Sequence, residues 1–123
     1  MSLQTDALHQ LAASIARREP IDIQRYFTED FRLDDPGSSV VRHGFEGAKH
    51  MMDAIMAIAP DVRFEILDTV EQADRVAVRW RVTGTSNDTR FSAAIVAIYR
   101  FVDARIAEDW GISSKNPWRD VQS

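Results

Sequence analysis

Between Arg75 and Ser113 apolar residues recur at every second position in three successive runs. Val76, Val78, Trp80 and Val82 alternate with Ala77, Arg79, Arg81 and Thr83. Phe91, Ile95, Tyr99 and Phe101 alternate with Ser92, Val96, Ile98 and Arg100. Ile106, Trp110 and Ile112 alternate with Ala107, Asp109 and Ser113. A period of two belongs to strands of a half-buried sheet. A turn near Asn87-Asp88 sets Trp80 opposite Ile95 and Val78 opposite Ala97. A turn at Asp103-Ala104 sets Tyr99 opposite Glu108 and Ala97 opposite Trp110. Under both pairings the apolar sets share one face, as register requires when one face is buried. Ala104 suits a positive φ poorly, which argues against a tight primed turn there.

Upstream the period lengthens. Thr5 or Asp6 can cap a helix whose stripe is Leu8, Leu11, Ala12 and Ile15. Pro20 suits the first turn of a second, short helix that buries Ile23, Tyr26 and Phe27. Phe31-Arg32-Leu33 reads as a short strand, and residues 34–39 read as a loop by composition. Val40-Val41-Arg42 can form a second extended piece. A third helix over about residues 45–59 carries Phe45, Met52, Ile55, Met56 and Ala59, and Pro60 stops it. Val62 to Val70 is a further strand. Phe64 and Ile66 face inward if a five-residue loop runs from Glu71 to Arg75. Helices first and a four-stranded antiparallel meander last is the α+β pattern.

Composition adds bounds. A chain of 123 residues supports a single domain, 1–123, with one core. The net charge of −4 gives no general attraction to nucleic acid or anionic lipid. Cysteine is absent, which excludes disulfides, thiolate catalysis and cysteine-based zinc sites. No apolar run reaches membrane-spanning length and no signal-peptide pattern opens the chain, so a cytoplasmic location is expected. His9, His43 and His50 lack metal-ligand spacing, and no metal or cofactor is expected.

The inward face mixes large residues, Trp80, Tyr99 and Trp110, with small ones, Ala93 and Ala97. That mixture can wall a hollow, the usual form of a ligand site, roofed by Met52 and Met56. The bland alternative is that the methionines fill the space. The same register turns the Glu108 carboxylate inward beside Tyr99, where a buried acid must be paired, hydrogen-bonded or neutral. His43, at the entrance to the third helix, can serve as an acid or base near neutral pH. It is more simply an exposed loop residue. Arg79, Arg81 and Arg100 share the outward face with Ala94, Val96, Ile98 and Asp109, which suits an interface core with a charged rim and a symmetric dimer.

The order of the motifs resembles a family. Asp35-Pro36-Gly37 follows a short strand, a Gly44-x-x-Gly47-Ala48 helix start comes next, and the meander ends in Glu108-x-Trp110. This is similar to the nuclear transport factor 2-like superfamily, and within it to the SnoaL-like and ketosteroid isomerase-like branches, over about Asp6 to Ile112. The resemblance implies a cone: a strongly curved antiparallel sheet wrapped around three N-terminal helices, with an apolar cavity and dimers through the outer sheet face. It places Asp35 at the position of the isomerase general base. The two acidic donors of the isomerase align with Leu11 and Ala97, which cannot donate to an oxyanion. SnoaL-like cyclases use an acid near the tryptophan of the last strand, and residues 111–114 contain none.

The sequence thus leads to a homodimer that binds a small apolar or aromatic molecule. If it is catalytic, the chemistry is proton transfer on an apolar carbonyl compound, such as isomerisation, cyclisation or dehydration. Asp35 would be the base, with Glu108 or His43 assisting. The alternative is a non-catalytic module for an apolar ligand or for association.

Overall fold

The computed structural model describes residues 2–34 and 42–113. Helix α1 spans Leu3–Ala16, α2 spans Ile23–Tyr26 and α3 spans Gly44–Met56. The strands are β1 (Phe27–Asp34), β2 (Arg42–His43), β3 (Arg63–Gln72), β4 (Arg75–Ser86), β5 (Thr89–Val102) and β6 (Arg105–Ser113). They form one sheet in the order β2-β1-β6-β5-β4-β3. The α+β class and the antiparallel meander β3 to β6 match the sequence reading. One addition extends the sheet: β1 pairs with β6 in parallel, Leu33 opposite Asp109.

The N-cap of α1 is Ser2 rather than Thr5 or Asp6. Its hydroxyl accepts the Thr5 N–H at 3.1 Å, satisfying one of the donors a helix start leaves open. Leu8, Leu11 and Ile15 are its buried stripe. Phe27 opens β1 instead of ending a helix, and packs edge-on against Phe31 with ring centroids 4.9 Å apart. Helix α3 stops at Met56, earlier than expected. Its glycines have separate reasons. Gly44 adopts φ +68°, where a side chain is strained, and a Cβ on Gly47 would meet the Arg42 carbonyl carbon at 2.9 Å. The Gly-x-x-Gly start is therefore what lets α3 seat against β1 and β2.

Two bulges set the register. In β3, Phe64 lies opposite Val82 and Ile66 opposite Trp80, so both face inward as expected. The frame then shifts at Leu67, and β3 meets β4 through the two-residue turn Ala73-Asp74, not a five-residue loop. In β6 the frame shifts after Ile106, so Glu108 pairs with Arg100, Asp109 with Tyr99 and Trp110 with Ile98. Ala107 is the extra residue and is buried. An added residue sends every later side chain to the other face. The inward placement of Glu108 and Trp110 is thereby overturned: both face outward. The turn before them is also tight, with Asp103 at φ 51° and Ala104 at φ 61°. Ala104 takes the left-handed conformation despite its Cβ.

The core lies between the helices and the inner sheet face. It includes Leu8, Ile15, Phe27, Phe31, Met52, Val78 and Trp80. Among the described residues no helix is long and apolar enough to cross a membrane.

Candidate functional site

Inner-face residues fall into lateral rows across the sheet. One row is Leu33, Asp109, Tyr99 and Val76, taken from β1, β6, β5 and β4. The next holds Gly111, Ala97 and Val78, and the one after it Ile95, Trp80 and Ile66. Small residues thus separate Tyr99 from Trp80. Both long side chains lean over that middle row, and the Trp80 Nε1–H donates to the Tyr99 Oη at 2.9 Å. Ala97 is buried beneath them and leaves the room this contact needs.

The Tyr99 hydroxyl accepts from the indole, so its own proton is directed elsewhere. Its pKa stands well above the ordinary tyrosine value. Burial is the main cause, the Asp109 carboxylate adds to it, and the Trp80 hydrogen bond acts in the opposite sense. Tyr99 is therefore a neutral donor at physiological pH. Asp109 is half-buried and sits at the margin of the core. The arrangement places a carboxylate and a phenol on adjacent strands facing one interior, with Gly111 and Ala97 beside them.

The expected site residues divide. Trp80, Tyr99, Ala97 and Met52 come together in the interior, all of them buried, and Met56 is half-buried at its edge. Trp110 does not join them: it is 37% exposed on the outer face. Glu108 is also outside, where its Oε1 lies 3.1 Å from the Arg100 Nε. His43 is exposed at the N-cap of α3 and makes no side-chain cap there. Asp35 lies outside the described residues. Asp109, which the alternation placed on the outward face, is the acid that the bulge turns inward. The signal was present in the doubled letters Ile106-Ala107 and Glu108-Asp109, two apolar residues and then two acids, which a strict period of two cannot accommodate. Among the described residues, no group of three or more histidines, aspartates or glutamates forms a metal site.

Two open hollows lie elsewhere. One runs between α1 and the start of β3. The other lies between the loop after α3 and the β4–β5 turn, where Asp61 accepts from the Thr85 N–H and hydroxyl, each at 2.8 Å. Those bonds, the hydroxyl first, hold the Asp61 carboxyl below its ordinary value.

No curated protein matches the sequence significantly. Among solved structures, IdmH from Streptomyces antibioticus, assigned as a polyketide cyclase, is 22% identical with a TM-score of 0.76, covering 90% of this chain and 91% of that one. A protein from Acidithiobacillus ferrooxidans, also assigned as a polyketide cyclase, is 20% identical with a TM-score of 0.81, covering 98% and 95%. TerC, co-crystallised with polyporic acid, is 19% identical with a TM-score of 0.78, covering 99% and 100%. These likenesses establish the nuclear transport factor 2-like fold. The SnoaL-like domain model matches residues 8–109, most of the chain, and the protein belongs to the SnoaL-like family.

Proposed function

We propose that this protein binds a small apolar or aromatic carbonyl compound against the inner sheet face and moves a proton on it, with Asp109 and Tyr99 as the working pair. The observation that carries this reading is their cross-strand pairing on the inner side. Asp109 takes the proton from the carbon next to the carbonyl. Tyr99, kept neutral by burial, donates a hydrogen bond to the oxygen as negative charge develops there. Donors aimed at developing charge in a dry site stabilise the transition state by several kcal/mol, of order 3. The Trp80 N–H fixes the phenol so that its proton points away from the indole. Asp109 thus takes the inward place the sequence gave to Glu108 and the role of base it gave to Asp35. Asp35 stays a proposed second acid, on the resemblance that gave it the position of the isomerase base.

A test uses turnover of a flat aromatic β-dicarbonyl compound, followed by exchange of its acidic C–H for deuterium. Asp109→Asn should cut the rate by about a hundredfold or more, whereas Glu108→Gln should leave it within about twofold. Equal effects of the two changes would sink the assignment. A second reading, binding without catalysis, is favoured by the dense packing around Tyr99, which is only 8% exposed. Ligand binding without any exchange would select it.

The outer face supports a further proposal, a homodimer. Val96 pairs with Ile112 and Ile98 with Trp110, and all four are 37–52% exposed. Ion pairs Arg79–Asp68 and Arg100–Glu108 lie around this patch. An apolar centre with a charged rim suits a self-complementary interface. Trp110, displaced from the interior, adds to that centre.

A further inference from the structure

β3 is an edge strand, and its first residues run beside α1. The helix turns small side chains toward it. Ala12, Ala13 and Ala16 form one wall of an open groove of about 410 Å³. Phe64 and Ile66 also line the groove and stay half-buried, because alanines are too short to cover them.

The remaining lining is polar, with two arginines, one glutamate, a histidine and Thr83. Arg63 and Arg81 stand against a single acid, Glu65. Arg81 and Glu65 are loosely paired at 3.7 Å, with both side chains more than half exposed. Arg63 has no ion pair or hydrogen bond to another side chain among the described residues. In a chain of net charge −4, this is a local surplus of positive charge beside apolar surface. The charge complement of such a groove is an anion with an apolar body.

We propose that the groove between α1 and β3 is a binding site for a small amphiphilic carboxylate, a medium-chain alkanoate or a flat aryl acid. The apolar body lies along the alanines and over Phe64 and Ile66. The carboxylate meets the Arg63 guanidinium, whose planar fork matches two carboxylate oxygens. An alcohol of equal length loses that charge-assisted contact, and an ammonium meets like charge. The site is distinct from the inner-face pair, which lies on β5 and β6.

The experiment is an amide chemical-shift titration of the full chain with decanoate, decanol and decylammonium, each below its micelle concentration. Decanoate should give saturable shifts at residues 9–16 and 63–66, and bind at least about tenfold more tightly than the other two. Arg63→Glu should weaken decanoate about tenfold or more while the unfolding midpoint stays in place, since Arg63 is exposed. Ala13→Phe, which fills the groove, should remove binding of all three. Equal affinity for the three head groups, an unchanged decanoate affinity in Arg63→Glu, or no saturable shift would each overturn the proposal. So would shifts centred on Trp80 and Tyr99, which would assign the ligand to the interior instead.

Discussion

Tyr99 and Asp109 stand directly opposite each other across β5 and β6, on the side of the sheet that faces the helices. In the adjacent pair, Arg100 and Glu108 stand opposite each other on the other side. Two adjacent acids are thereby split between the inner and outer faces of the sheet. Their chemistry differs because their surroundings differ. Glu108 shares a partly exposed ion pair, while Asp109 bears on a phenol that burial already holds neutral.

The Trp80–Tyr99 bond should be visible in stability. Tyr99→Phe keeps the ring but leaves the buried indole N–H without its acceptor. A loss of about 1–3 kcal/mol is expected, read from urea unfolding. Trp80 fluorescence should shift as well, since its hydrogen bond is gone. A loss below about 0.3 kcal/mol, set against the usual cost of a buried unpaired donor, would show that the bond contributes nothing.

Alkaline pH should destabilise the fold through the same residue. The folded pKa of Tyr99 is raised above the ordinary value of 10.0. The folded state therefore holds this proton more tightly than the unfolded chain does. Its contribution is fully present below about pH 10 and is lost as pH rises toward the folded pKa, by about 1.4 kcal/mol per pH unit. Urea midpoints between pH 9 and 11.5 should fall in the wild type, and Tyr99→Phe should remove this part of the slope.

The β5–β6 turn stores strain that a single change can release. Ala104 sits at φ 61°, a conformation that glycine adopts freely. Ala104→Gly should raise stability by roughly 0.5–1 kcal/mol, the relief of strain exceeding the added freedom of the unfolded chain. A lower urea midpoint in the variant would contradict the turn geometry.

The outer-face proposal is checked by mass. Ile98→Lys places a charge in the centre of the apolar patch, next to Trp110. Sedimentation should show a dimer for the wild type at micromolar concentration and a monomer for the variant, with the fold intact by circular dichroism. A wild-type monomer, or a dimer untouched by Ile98→Lys, would count against an interface through this face.

The helices and strands were legible because their signals are local. The stripe Leu8, Leu11 and Ile15 repeats at helical spacing, and β4 alternates without a fault from Val76 to Val82. The turn at Asn87-Asp88 is short and symmetric, so the pairing of Trp80 with Ile95 and of Val78 with Ala97 followed from counting. Phe64 and Ile66 were placed inward, but for the wrong reason: a bulge at Leu67, not a longer loop, reconciles them with the turn. The misplaced turn chemistry at Ala104 came from a local preference that the hairpin overrides.

Alternation, helical stripes and punctuation by proline and glycine determined the element order, the α+β class and the inner face of β4. These depend only on neighbours a few residues apart. Which acid of the Glu108-Asp109 pair enters the interior, where Trp110 goes, and that β1 closes onto β6 in parallel were settled only by the tertiary structure. A bulge adds one residue and inverts everything after it, and its position depends on how a bent strand meets partners far away in the chain.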